Sequence, residues 1–332
     1  MLLRISTDAT VMKNARAQLI AAFRRDQAKK VTTVIGYPGG NQSSEVYWAE
    51  DLGIWLACDV IEKSRYWNAF GTWNPRQNKM VPICCEINFP LAGINRQISG
   101  AVAENERGGL FLVHRGQIGG GRKGIGAELF WKHYEGEPSV VIDGDRETEL
   151  VVVGSLQSPR FLRQIQCFVR EIERIKALAH SEDEQHTEEG NQIEIRDIGE
   201  EFLTRMRYSF TRTVDPTCDH AIIVNGLRRE LRKRGYSIGK DQLRDLYVHR
   251  KSHITSLFEV KPDTSTTSIY SAVGQLLLYS VVLPIRPKLI FVAPEELSVE
   301  TQGNLKKIGI EVLTFRWVSS EPEFPGLADW NF

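Results

Sequence analysis

The sequence predicts a β-rich N-terminal domain of α+β type followed by an α/β domain, the two joined by a short acidic segment. Three observations carry this. Between residues 31 and 156, short β-branched and aromatic runs alternate with Gly, Pro, Asn and Asp clusters, the pattern of strands separated by turns. Residues 181–190 hold no apolar side chain, so they have nothing to contribute to a core. Beyond residue 197, helical and strand periodicities alternate. The expected division is 1–180, an acidic linker over 181–196, and 197–332.

Composition bounds the classes to consider. A chain of 332 residues has room for two cores, and 42% hydrophobic with 25% charged residues is ordinary for a soluble globular protein. No apolar run approaches the roughly 20 residues that span a bilayer. The first residues lack the basic flank and long apolar core of a signal peptide. Five cysteines show no metal-ligand spacing, which fits reduced thiols in the cytoplasm. The net charge of zero hides an asymmetry: 23 basic and 19 acidic residues over 1–180, one and eight over 181–200, and 18 and 15 over 201–332. That permits nucleic-acid binding without demanding it.

In the first domain, residues 9–30 read as an amphipathic helix with Val11, Ala15, Leu19, Ala22 and Phe23 on its apolar face. Arg16, Arg24, Arg25, Lys29 and Lys30 supply its polar face. Strands are expected over 31–35, 46–48, 53–59, 79–89, 101–103, 110–114, 139–142 and 149–153. Tyr37-Pro38-Gly39-Gly40 is a turn cluster, and Asp143-Gly144-Asp145 marks a hairpin. These strands suggest one curved sheet or a partly open barrel. A helix over 158–179 closes the domain, with Ser158 as N-cap and Pro159 in its first turn.

Two features of this domain have a functional reading beside a structural one. The run from His114 to Gly126 combines glycines, which let backbone approach a phosphate, with Arg115, Arg122 and Lys123. It reads equally as a DNA-contacting loop or a plain connection. Its Gly119-x-Gly121-x-x-Gly124 spacing lacks the strand–turn–helix context of a dinucleotide site. Tyr47, Trp48, Trp55, Tyr66, Trp67, Phe70 and Trp73 form an aromatic concentration. Such rings stack on unpaired bases, but more often they fill a small β core.

In the second domain, helices are expected over 197–209 and 218–234, an extended piece over 236–239, and strands over 242–249 and 255–260. A helix over 268–282 with Ser268 as N-cap, a strand over 288–292, a helix over 299–308 and a strand over 310–316 complete the order α-β-β-β-α-β-α-β. In the strand Leu257-Phe258-Glu259-Val260-Lys261, Glu259 and Lys261 are two apart and leave the same face. A hairpin turning near Ser252 sets Asp245 opposite Glu259, since each lies seven residues from the turn. Like charges directly opposite are destabilising unless a cation sits between them. Oxygen ligands so arranged suit Mg²⁺, with Mn²⁺ as a substitute. Lys261 would then reach a phosphate or an attacking water. Gln275 and Tyr279, four apart on the next helix, share a face.

Asp245, then Glu259-Val260-Lys261, then Gln275-Leu276-Leu277-Leu278-Tyr279, in this order of elements, resemble the PD-(D/E)XK nuclease superfamily in its RecB-like branch. The resemblance covers about residues 197–316 and implies a restriction-endonuclease-like αβββαβ fold. It implies that Asp245 and Glu259 bind metal, that Lys261 is catalytic, and that Gln275 and Tyr279 line the site. The literal Pro-Asp dipeptide of many relatives is missing, since Arg244 precedes Asp245. Asp219, His220, Asn225 and Glu230 are all candidates for the further ligand that many relatives carry on the preceding helix. The implied function is a Mg²⁺-dependent DNA endonuclease of restriction or phage-defence type, its N-terminal domain reading the substrate. The alternatives are a repair or recombination nuclease for branched or damaged DNA, and a non-catalytic nucleic-acid-binding protein on a nuclease scaffold. Cutting both strands commonly needs two sites, which points to a homodimer.

Overall fold

The computed structural model describes residues 2–62, 64–119, 125–136, 138–184, 218–241, 244–251 and 253–332. The helix expected over 197–209 and the basic pair Arg122 and Lys123 lie outside these. The chain is of mixed α/β type and divides into two compact units; the described residues up to 184 and Cys218 belong to the first, and those from Asp219 to the second. No helix among the described residues is long and apolar enough to cross a membrane.

The first unit opens with β1 (Leu3–Ile5) and α1 (Ala9–Arg25). Asp8 caps α1, its carboxylate accepting from the Thr10 and Val11 N–H groups. Met12, Ala15, Leu19, Ala22 and Phe23 are buried along one side, as the spacing requires. The helix stops five residues before the expected 30. Gln27 takes a left-handed turn (φ 55°), and Lys29 and Lys30 open the next strand.

Strands β2 (Lys29–Tyr37), β3 (Gly40–Ala49), β4 (Ile54–Ile61) and β5 (Arg65–Gly71) form an antiparallel meander. Short β6 (Met80–Pro82) adds to β2, and β7 (Cys85–Glu86) and β8 (Phe89–Pro90) add to β5. The strand expected over 79–89 is thus three fragments. Pro82 and Pro90 lack the N–H that a continuous ladder needs.

A second sheet holds β9 (Gly100–Glu104), β10 (Leu110–His114), β11 (Ser139–Asp143) and β12 (Arg146–Ser155), with α2 (Ala127–His133) before β11. Gly144, at φ 73°, serves the tight Asp143–Arg146 hairpin. β1 lies between β9 and β11 and closes a five-stranded barrel in the order β1-β11-β12-β10-β9. The expectation of one curved sheet or a partly open barrel is therefore corrected to a curled seven-stranded sheet plus a closed barrel. The closing strand is three residues long, too short to show a period.

Helix α3 (Phe161–Glu184) runs past the expected end at 179 and into the predicted linker. Glutamate has adequate helix propensity, so an anchored helix propagates through 180–184, which holds two of them. Phe161, Ile165, Phe168, Val169 and Ile172 join Leu19 and Phe23 of α1, Leu56 and Phe70 of the sheet, and Val102, Leu112 and Val151 of the barrel in one core. Each such side chain contributes about 1.5–3 kcal/mol on burial.

The second unit comprises α4 (His220–Lys233), β13 (Ile238–Gly239), β14 (Leu246–Arg250), β15 (His253–Val260), α5 (Thr266–Val281), β16 (Lys288–Pro294), α6 (Val299–Lys307), β17 (Ile310–Val318) and β18 (Glu321–Glu323). Gly235, at φ 82°, ends α4 as expected. One six-stranded sheet runs β13-β14-β15-β16-β17-β18, with β15, β16 and β17 parallel and the other neighbours antiparallel. Ile223, Leu227 and Leu231 of α4 pack with Phe258, Val260 and Ile290 on one face. Ala272 and Leu276 of α5 and Leu305 of α6 pack with Leu257, Leu289 and Phe291 on the other. The cap of α5 is Ser265 and not Ser268, whose N–H donates to the Ser265 hydroxyl at 3.2 Å. Ser265 has the extended backbone a cap needs (φ −63°, ψ 149°).

Candidate functional site

β15 sends Leu257 to the α5 face and Phe258 and Val260 to the α4 face. By alternation Glu259 and Lys261 follow Leu257, so an acid and a lysine enter the apolar layer under α5. Each is only 2% exposed. Lys261 Nζ lies 2.5 Å from Glu259 Oε1 and donates to Gln275 Oε1 at 2.9 Å. The Ser271 hydroxyl, one turn before Gln275 on α5, donates to the same oxygen at 2.9 Å. Gln275 Oε1 is thereby held by two donors, and the ammonium is held between a carboxylate and a carboxamide.

Asp245 reaches this end of the sheet from the hairpin partner. Leu246 pairs with Phe258, so the next step outward brings Asp245 to the level of Glu259. A one-residue irregularity between Val248 and His249 shifts the pairing only on the turn side. Asp245 Oδ2 accepts from the Val260 N–H at 2.8 Å, and Oδ1 lies 3.1 Å from His220 Nε2. Burial alone would raise the Asp245 pKa. His220, the Lys261 ammonium and the Val260 N–H outweigh it and hold the carboxyl well below its usual range. Asp245 is ionised at neutral pH.

His220, at the first turn of α4, is the one of the four helix candidates that meets Asp245. Asn225 is exposed, and Glu230 is bonded to Lys233 at 2.9 Å. Ser271 escaped the sequence reading, although its spacing of four from Gln275 is a visible signal. Tyr279 packs against the apolar cluster of Leu257, Leu276 and Phe291.

The set has two carboxylates, one ammonium and an imidazole. Among the described residues no three His, Cys, Asp or Glu side chains converge as a ready cage for a metal. Mg²⁺ needs less from a protein, since one or two carboxylates with waters and substrate oxygens complete its shell. Asp245 and Glu259 fit that smaller demand.

The other expected contacts fall differently. Arg115 is buried, and its guanidinium lies 2.7 Å from Asp143 Oδ2, which Arg96 also meets at 3.1 Å. A buried carboxylate requires such partners, so Arg115 supports the barrel in place of the expected DNA contact. Its neighbour His114 accepts from the Gly116 N–H, and burial pushes its pKa down to about 3. Trp48, Trp55 and Phe70 are core residues, and the Trp67 indole donates to Glu86 at 2.9 Å. Trp73, 54% exposed, stands outside that core. Burial raises the Cys58 thiol to about 12 and raises Cys85 as well, so neither is a nucleophile.

Comparison with models of known families, with curated proteins and with solved structures gives no significant match.

Proposed function

We propose that the second unit is a Mg²⁺-dependent nuclease of PD-(D/E)XK type that hydrolyses phosphodiester bonds in DNA. The observation that supports it best is the meeting of Asp245, Glu259, Lys261 and Gln275 at one end of β15. Four polar groups from three separated segments are collected in an apolar layer, an arrangement that costs stability and suits a site. Asp245 and Glu259 would hold the cation, which would supply Lewis-acid polarisation of the scissile phosphate.

The chain's own residues do the rest. His220 orients Asp245 and leaves it charged. Lys261, which shares Glu259 at 2.5 Å, is kept aimed by Gln275 when that carboxylate turns to a cation. Its ammonium then neutralises charge developing on a non-bridging phosphate oxygen. Water adds to phosphorus and gives up a proton to solvent, one P–O ester bond breaks, and the leaving oxygen takes a proton from solvent, so that one water is consumed per bond cut. The first unit would select the substrate, which fits a restriction or phage-defence enzyme working in the cytoplasm.

Supercoiled plasmid incubated with protein and Mg²⁺ tests the reading. Nicked or linear product is expected with Mg²⁺ or Mn²⁺ and none with chelator. Lys261→Ala should lower the rate by about 10²-fold or more. Cleavage that survives this substitution would sink the mechanism. A second reading has one observation behind it: Glu259 and Lys261 satisfy each other in the dry interior, as in a non-catalytic nucleic-acid-binding scaffold. Calorimetry separates the two, because the scaffold shows no Mg²⁺ or Mn²⁺ binding that Asp245→Ala removes.

A further inference from the structure

Helix α1 carries Lys13, Arg16, Arg24 and Arg25 and no acid along its 17 residues. The helix dipole favours Arg24 and Arg25 in the last turn, but it gives no reason for Lys13 or Arg16 in the first half. Among the described residues no carboxylate forms an ion pair with any of the four. Arg16 and Arg24 are seated on aromatic rings instead. The Arg16 guanidinium lies 5.1 Å from the centre of the Tyr66 ring, and that of Arg24 lies 5.7 Å from the centre of Tyr47. Arg24 also donates to the Tyr47 hydroxyl at 3.1 Å. Tyr47, Cys58 and Tyr66 stand on β3, β4 and β5, three neighbouring strands, and pack on the core that α1 shares. Both guanidiniums act on the Cys58 thiol, so the two pairs flank it.

The nearby acids leave this charge standing. Glu45 is taken by Lys30 at 2.8 Å. Asp59, next to Cys58, alternates to the opposite face of β4. Asp26, just past the helix, lies beside Arg163 and Asp51. A ring differs from a carboxylate as a partner: it fixes a guanidinium by cation–π attraction without cancelling its charge. Arg16 Nε is buried with no acceptor among the described residues. A buried donor without an acceptor costs stability, so packing alone does not explain Arg16.

We infer that α1 and the tyrosines of β3 and β5 form a phosphodiester-binding surface of the first unit, which grips one strand of a nucleic acid. The inference rests on the nuclease reading for the identity of the ligand, and it gives the first unit a contact with the substrate that unit would select. Guanidinium forks match phosphate oxygens in pairs. Arg16 and Arg24, eight residues apart, are separated by about 12 Å along the helix at 1.5 Å per residue. That equals about three to four nucleotides of one strand at 3.4 Å each. Contacts of this kind position a strand and read no bases, so the grip is independent of sequence.

The test is fluorescence anisotropy of labelled DNA duplexes of two unrelated sequences with full-length protein in chelator, titrated with salt. Wild type is expected to bind both alike. Arg16→Gln with Arg24→Gln should weaken binding by about tenfold or more and lower the log–log salt slope by about 1.8, two contacts at 0.9 each. Arg107→Gln with Arg146→Gln removes two exposed cations elsewhere in the same unit and should leave binding at the wild-type level. Tyr47→Leu keeps every charge but unseats Arg24, and should weaken binding by about two- to fivefold with the slope unchanged. Circular dichroism checks that each variant is folded. The surface is overturned if wild type does not bind DNA or prefers poly-glutamate. It is also overturned if the α1 pair or Tyr47→Leu binds like wild type, or if the Arg107 and Arg146 control loses as much. Metal-free binding separates this from the nuclease reading: α1-dependent binding without any cleavage sinks the nuclease alone, and normal cleavage with α1-independent binding sinks the surface alone.

Discussion

Removing Lys261 should damage folding as well as cleavage, and the two losses can be told apart. The Lys261 and Glu259 side chains are each only 3% exposed and lie 2.5 Å apart. Lys261→Met leaves the Glu259 carboxylate in an apolar layer beside Leu257 and Leu276, with Asp245 close by. Breaking one partner of a buried pair costs about 3–5 kcal/mol, since the remaining charge is uncompensated. Replacing both, Glu259→Leu with Lys261→Met, should restore most of that loss, because apolar isosteres of a buried pair are often neutral or better. Urea unfolding followed by circular dichroism measures all four corners of the cycle. Mg²⁺ supplies the second arm: the Lys261→Met protein, in which Glu259 has lost its ammonium partner, should gain more stability from the cation than wild type does. The double variant should gain none. A loss under about 1 kcal/mol for Lys261→Met, or single losses that simply add in the double variant, would refute the buried-pair argument.

Further outcomes follow from the first unit and from the α5 cap. Asp143 is held below the usual carboxylate range: burial opposes this, and Arg115 and Arg96 override it. Its stabilisation is present above the unfolded pKa of about 3.9 and lost as pH falls through the lower folded value. Asp143→Asn should flatten that acid limb in urea titrations and leave the buried Arg115 unpaired, at about 3–5 kcal/mol. His114 folds neutral, with a pKa of about 3. Its unfolded form binds a proton below about pH 6.5, so stability should fall from there toward the folded value, and His114→Phe should remove that part. At Gly71 an added Cβ would overlap the Trp55 ring, so Gly71→Ala should cost about 1–3 kcal/mol and alter the tryptophan emission. Ser265→Ala should cost about 1 kcal/mol as loss of the α5 cap, measured by thermal melting. A larger loss for Ser268→Ala would move the cap back to Ser268.

Much of the candidate site was legible because its geometry is local. Glu259 and Lys261 share a face by the period of two, and Asp245 meets Glu259 through a hairpin a few residues long. Gln275 sits on a helix whose apolar spacing already announced which side faces the sheet. His220 was one of four candidates because its partner Asp245 lies 25 residues away, and no short-range period spans that gap. The partner of Arg115 was hidden for the same reason. Glycines and cations surround Arg115 in sequence, while the acid that binds it sits 28 residues on, in the β11–β12 hairpin.

The sequence by itself determined many of the helices and strands among the described residues, where several of them turn, and which acid and lysine share a face. Each of those follows from neighbours within about one turn or one hairpin, where backbone geometry leaves few choices. Only the tertiary structure decided that β1 closes a barrel, that Trp48 and Trp55 are core, and that His220 and Ser271 join Gln275 around Asp245 and Lys261. Those contacts bring together residues far apart in the chain. Their selection comes from burying apolar surface and pairing buried charge across the whole unit, which no local pattern encodes.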